Sequence, residues 1–188
     1  MTNTHDQILE ATCTLLEKQG FHGTGLNEII KESGAPKGSL YYYFPAGKEQ
    51  ITAEAILQAG TRTAERIRLG LAESADPAQA LRDFILKIAD NVEASGFAAG
   101  SPLTAVAMET ASGSERINLA CRAAYDLLIN AFRQKLLVNG MTETRAAELA
   151  TFITASVEGG IILSRTHHDT TALRLVAREL HKHLANQE

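Results

Sequence analysis

The sequence predicts an all-α protein of about nine helices. A small N-terminal three-helix helix-turn-helix domain is joined through one long helix to a larger helical bundle. Three observations carry this. Apolar residues recur at spacings of three and four along most of the chain. Sharp helix-start signals, Asp76-Pro77-Ala78-Gln79 and Ser101-Pro102, punctuate that pattern. No segment alternates apolar and polar residues as a half-buried strand does. With 188 residues, 45% of them hydrophobic, the chain can bury the core of one large or two small domains.

Ile8, Leu9, Thr12, Leu15 and Leu16 fall on one face of a first helix, which Gly20 is expected to end. A second helix starts near Thr24-Gly25, carries Leu26, Ile29 and Ile30, and stops at Gly34. Glu28 sits in its first turn, where the helix dipole favours an anion. Ala35-Pro36 makes a turn, and proline favours the start of the next helix. That third helix, Lys37–Phe44, has Leu40 and Phe44 as its inward pair and three tyrosines in a row, so hydroxyls project on nearly every other side. Pro45 stops it.

From Gly47 to about Ser74 a long helix carries Ile51, Ala55, Ile56, Ala59, Ala64, Ile67 and Leu71. Gly60 and Gly70 inside it each cost about 1 kcal/mol against alanine, so a bend or a close helix contact is expected there. Asp76 caps a helix with Leu81, Phe84, Ile85, Ile88 and Val92; Ser101 caps a short one with Leu103, Val106, Ala107 and Met108. Ser112–Glu115 reads as a capping box before a helix ending at Asn139-Gly140. Thr142 starts the eighth helix, and Asp169 caps the last, which presents Leu173, Val176, Ala177, Leu180 and Leu184.

Charge and composition exclude several classes. The net charge is −4, and residues 1–50 hold four lysines against six carboxylates, so bulk non-specific nucleic-acid binding is not expected. Apolar runs are too short for a membrane span, and MTNTHDQILE lacks the basic region and apolar core of a signal peptide. A cytoplasmic protein without a membrane partner is the expectation. Cys13 and Cys121 read as buried, reduced thiols. His167-His168 and His181/His183 point to diverging helix faces, so no metal site is expected. No phosphate loop, CxxC pair or catalytic arrangement is present, so neither a cofactor nor an enzymatic activity is expected.

Two short helices joined by a glycine-containing turn behind a supporting helix form a helix-turn-helix pattern. The stretch GFHGTGLNEIIKESGAPKGSLYYYFPAGKEQI closely resembles the DNA-binding signature of TetR-family transcriptional regulators. The segments FPAGKEQ and GSPLTAVAMET resemble the subgroup containing lincomycin- and flavonoid-responsive repressors. The resemblance implies a DNA-binding domain in residues 1–48 and a ligand-binding and dimerisation domain in residues 49–188. It implies a homodimer, a double-stranded operator and a small, mostly apolar effector. Thr24 would bind phosphate through its hydroxyl or its helix N-terminus. Lys37, Gly38 and Ser39 would open the recognition helix at the groove. Tyr41 and Tyr42 would reach phosphates, sugars or thymine methyls, and Lys48 would meet phosphate at the start of the long helix. Tyr43 holds a position often filled by histidine in the family, and Pro36 replaces a frequent serine. The alternative is a helical ligand-binding or interaction protein without operator binding, supported by the acidic balance of residues 1–50.

In the larger part, apolar residues are first of all core. Phe84, Ile88, Phe97, Met108 and Phe132 are candidates to line an effector cavity, with Glu109 and Tyr125 as its polar members. Phe152, Ala155, Ser156, Gly159, Gly160, Ile162 and Leu163 of the eighth helix, with Leu173, Val176 and Leu180 of the last, fit a two-fold four-helix dimer interface; packing within one chain is the alternative.

Overall fold

The computed structural model describes residues 3–111 and 113–185. Among the described residues there are nine helices and no strand: α1 (Thr4–Gly23), α2 (Leu26–Ser33), α3 (Lys37–Tyr43), α4 (Lys48–Ala72), α5 (Pro77–Ala94), α6 (Pro102–Thr110), α7 (Glu115–Val138), α8 (Glu143–His167) and α9 (Thr171–Ala185). The expected cap at Ser112 lies outside the described residues; Ser114 Oγ accepts from Ile117 N at 3.4 Å before α7. The chain divides into two compact units. One comprises Met1–Arg62 with Ser101–Asp126, the other Thr63–Gly100 with Leu127–Glu188. Residues 101–126 thus group with the N-terminal helices.

In the first unit, Ile8 and Leu16 of α1, Ile29 of α2, Leu40 of α3, Phe44, and Ile51 and Ile56 of α4 are all at 0% exposure. Each such side chain contributes roughly 1.5–3 kcal/mol by leaving water. The thiol of Cys13 donates to the carbonyl of Ala55 at 3.2 Å, and Arg62 pairs with Glu10 at 2.8 Å, so α1 and α4 are tied at two points. Gly60 resolves one expectation: a Cβ there would lie 2.7 Å from Ala124 Cβ and 3.0 Å from its Cα. The glycine permits α4 and α7 to cross backbone against backbone, and it produces no break in α4.

Gly20 ends the first helical stretch as the sequence indicates. At φ 69° and ψ −174° it breaks the helical path of α1, and a further short turn runs on to Gly23. That backbone region is open essentially to glycine alone. α6 packs against α1.

In the second unit, α9 packs on both α5 and α8. Leu173, Ala177, Leu180 and Leu184 of α9 are buried, as are Ile85, Ala89 and Val92 of α5 and Ile153 and Val157 of α8. Arg174 reinforces the α5–α9 contact with Asp90 at 2.9 Å and Glu93 at 3.4 Å. Gly70 lets the Phe84 ring lie on the α4 backbone, since a Cβ would stand 2.4 Å from Phe84 Cδ2. The start signals behave as the sequence indicates. Asp76 accepts from Ala78 N at 2.9 Å, Ser101 from Leu103 N at 3.2 Å, and Asp169 from Thr171 N at 2.8 Å. Gln79, the last residue of the first of these signals, donates to Asp83 one turn on at 2.5 Å.

Candidate nucleic-acid interface

The helix-turn-helix is assembled from short-range rules. Glu28 Oε2 accepts from Gly25 N at 2.9 Å and from Gln19 Nε2 at 3.1 Å, closing the start of α2 against α1. Gly34 ends α2 in the left-handed conformation, φ 64°, and Ala35 is buried beneath the turn. Pro36 then leads into α3. Leu40 and Phe44 hold α3 to the unit from below.

What remains faces outward. Lys37 and Gly38 are exposed, Tyr41 is 47% exposed and Tyr42 79%, while Ser39 and Tyr43 are half-buried. Apart from its chain neighbours and the backbone of its own helix, no described atom lies within 4 Å of where a Gly38 Cβ would stand. The glycine is therefore not required by packing within the chain and leaves the start of α3 open to an approaching surface.

The C-terminal end of α3 is held by two residues that the sequence patterns did not single out. Gln50 of α4 donates to Tyr43 O at 3.3 Å and accepts from Ala46 N at 3.0 Å. The His5 ring stacks on Phe44 with centroids 5.0 Å apart and meets Tyr43 edge-on at 5.5 Å. The same imidazole stands 3.2 Å from Glu54 and 3.3 Å from Asp6. The half-buried Tyr43 is thus partly a packing residue, and Tyr41 and Tyr42 form the free aromatic surface.

Two residues expected at phosphate sit differently. Thr24 is buried, and its hydroxyl donates to Gly20 O at 2.7 Å, so the expected contact through that hydroxyl is replaced by a bond inside the fold. Lys48, half-buried at the start of α4, holds its ammonium 4.3 Å from the centre of the Phe21 ring. Burial lowers its pKa below the usual lysine value, opposed by the nearby Glu109 and Glu28 carboxylates.

The residues expected around an effector fall in both units. Phe84 and Phe132 meet edge to face at 6.2 Å in the second unit, which also holds the half-buried Ile88. Phe97 sits in the left-handed region at φ 64°, its ring edge-on to His168 at 5.3 Å and its carbonyl accepting from Arg165 at 3.3 Å. Tyr125, in the first unit, bonds Thr104 at 3.2 Å. Met108 is 77% exposed, and Glu109 accepts from His22 N at 2.9 Å. Neither joins the Phe84–Phe132 group: Met108 points to solvent, and Glu109 is engaged with α1.

Of the residues expected at a dimer face, Leu173 and Leu180 are buried within the protomer at 0% and 3%. Gly160 is buried as well, and a Cβ there would come 3.0 Å from Leu173 Cδ2. These three therefore join α8 to α9 inside the chain. Phe152, Ala155, Ile162 and Leu163 are exposed, with Ser156, Gly159 and Val176 half-buried, and Leu175 adds an exposed leucine that the inward stripe of α9 did not include. By length and composition α8 matches a membrane span, with mean hydropathy 1.4 over its most apolar stretch. The sequence reading of uniformly short apolar runs is corrected on this point: small alanines, glycines and threonines extend the run between its larger residues.

Residues 8–55 match the family model for "Bacterial regulatory proteins, tetR family", and residues 77–179 match that for "Transcriptional regulator LmrA/YxaF-like, C-terminal domain". The chain is 40% identical to the HTH-type transcriptional regulator YxaF of Bacillus subtilis, over 95% of this chain and 93% of the relative. It is 39% identical to the HTH-type transcriptional regulator LmrA of the same organism, over 91% of each. Among solved structures, reduced NemR of E. coli superposes with a TM-score of 0.80 at 20% identity, covering 95% of each chain. A TetR regulatory protein of Rhodobacter sphaeroides superposes with a TM-score of 0.82 at 20% identity, covering 97% of this chain and 99% of the other. These last two likenesses concern the fold.

Proposed function

Given that the chain belongs to the TetR family of DNA-binding transcriptional regulators, we propose that it is a repressor that binds a pseudo-palindromic operator as a homodimer and is released by a small, mostly apolar effector. The observation that carries this reading is the outer surface of α3. A helix anchored by Leu40 and Phe44 at 0% exposure presents Lys37, Gly38, Tyr41 and Tyr42 together to solvent. A core helix has no use for that surface, and a major groove admits a helix of this kind.

In this reading residues 1–48 meet DNA and residues 49–188 bind ligand and dimerise, in the cytoplasm and without a membrane partner. Lys37 meets phosphate, Lys48 reaches it from its seat over the Phe21 ring, and Gly38 and Ser39 lie against the backbone. Tyr41 and Tyr42 contact phosphate or thymine methyls, and Tyr43 supports them from the side. Two copies present their α3 helices to successive major grooves about 34–36 Å apart. The exposed apolar residues of α8 and α9, Phe152, Ile162, Leu163 and Leu175, are covered by the second copy. The Phe84–Phe132 ring pair with Ile88 forms the apolar wall for the effector.

Effector and operator must weaken each other's binding by the same factor. The test is a gel shift and footprint on duplexes from the region upstream of the protein's own gene. A protected palindrome supports the reading; equal affinity for that DNA and for random duplex refutes it.

A further inference from the structure

The kink at Gly20 leaves a consequence in α1. A helix broken at that residue cannot satisfy the N–H groups of the following turn from its own preceding carbonyls. One of them, His22 N, donates instead to Glu109 Oε2 at 2.9 Å, a carboxylate 87 residues away on α6. The same carboxylate fills the space beside the kink. A Cβ on Gly20 would lie 1.9 Å from Glu109 Oε1 and 2.8 Å from its Cδ. Glycine at 20 is thus required twice, once by its positive φ and once by the seated carboxylate.

The turn so capped, Gly20–Gly23, connects directly to the surface assigned to DNA. Thr24 follows it, with its hydroxyl tied to Gly20 O, and α2 begins at Leu26. Phe21 within it carries the Lys48 ammonium on its ring face at 4.3 Å, and Glu109 is among the carboxylates acting on that ammonium. A single side chain of α6 therefore meets the end of α1, the approach to α2 and the electrostatic surroundings of the first residue of α4.

We infer that Glu109 is a positioning residue for operator binding: by capping the turn after the Gly20 kink, it lets α6 set the pose of the helix-turn-helix without touching DNA. The inference rests on the operator-binding reading above. It gives Glu109 a role distinct from effector anchoring.

The test uses full-length protein and a duplex selected from random sequence by the wild type. Glu109→Ala is expected to lower affinity for that duplex about tenfold, with non-specific affinity, helicity and oligomeric state unchanged, so that the specificity ratio falls. Glu109→Gln is expected to stay within about twofold of wild type, because its amide oxygen still accepts from His22 N. Wild-type specificity in Glu109→Ala would overturn the inference, and so would an equal loss in Glu109→Gln. Hydrogen exchange on the free wild-type protein decides the matter even if Glu109→Ala fails to fold. The His22 amide should be protected well beyond an unstructured rate, and an unprotected His22 would overturn the inference. If the wild type selects no duplex, the operator reading fails, while the exchange measurement still judges the cap.

Discussion

Lys37→Ala offers a quantitative test of the DNA-facing surface. Lys37 is exposed at the first position of α3, so its removal disturbs no core, and folding stability should stay within about 0.5 kcal/mol of wild type. If each Lys37 neutralises one phosphate, the salt slope of log affinity loses about 0.9 per contact, or about 1.8 for a dimer. Over a fourfold rise in salt, a slope of 1.8 corresponds to a factor of about 12. Wild-type affinity for the operator should therefore fall about 12-fold further than that of the variant between 50 and 200 mM salt. Fluorescence anisotropy with a labelled duplex across a sodium chloride series measures both slopes. Lys37→Arg should keep the wild-type slope. Equal slopes for wild type and Lys37→Ala would remove Lys37 from the phosphate contacts, and with it the reading that α3 enters the groove by its N-terminal end.

Three further outcomes are expected. Leu40→Ala, which empties a position at 0% exposure beneath α3, should cost about 2–5 kcal/mol of stability in denaturant unfolding, whereas Tyr42→Ala at 79% exposure should leave stability unchanged and weaken operator binding only. Phe152→Asp, on a residue 57% exposed in the protomer, should yield folded monomers in sedimentation; a persistent dimer would exclude this face from the interface. Burial pushes the Cys13 and Cys121 thiols up to about 11, so at pH 8 only about one in a thousand is thiolate. Alkylation of the native protein should be slow at pH 8 and accelerate as pH rises towards 11; rapid labelling at pH 8 would contradict this burial.

The helices were legible because their signals are local. Asp76-Pro77, Ser101-Pro102 and the left-handed Gly34 act within a turn of where they stand, and Leu40 with Phe44 identifies the inward side of α3 by spacing alone. The departures from expectation are those where a residue answers to something distant or to backbone geometry. Gly20 reads correctly as the break in α1, but the carboxylate seated beside it leaves no mark in the sequence around it. Glu109 resembles a polar member of an apolar cavity wall because its neighbours in sequence are apolar, and its partner at His22 carries no local mark. His5 and Gln50 support α3 from other helices and leave no pattern in the α3 sequence. Leu173 and Leu180 illustrate the converse: an apolar stripe does not say whether its own chain or a second copy covers it.

The crossing at Gly60 gives α4 the mechanics of a lever. With Ala124 close against it, that point admits little translation, so a reorientation of the helix would turn about it. Lys48 stands twelve residues away, an arm of about 18 Å at 1.5 Å per residue. A tilt of about 5° then displaces the Lys48 end by about 1.6 Å, comparable to the difference between a hydrogen bond and no bond. A methyl group added at residue 60 would act as a wedge at the fulcrum, and its effect would be read furthest from where it was inserted.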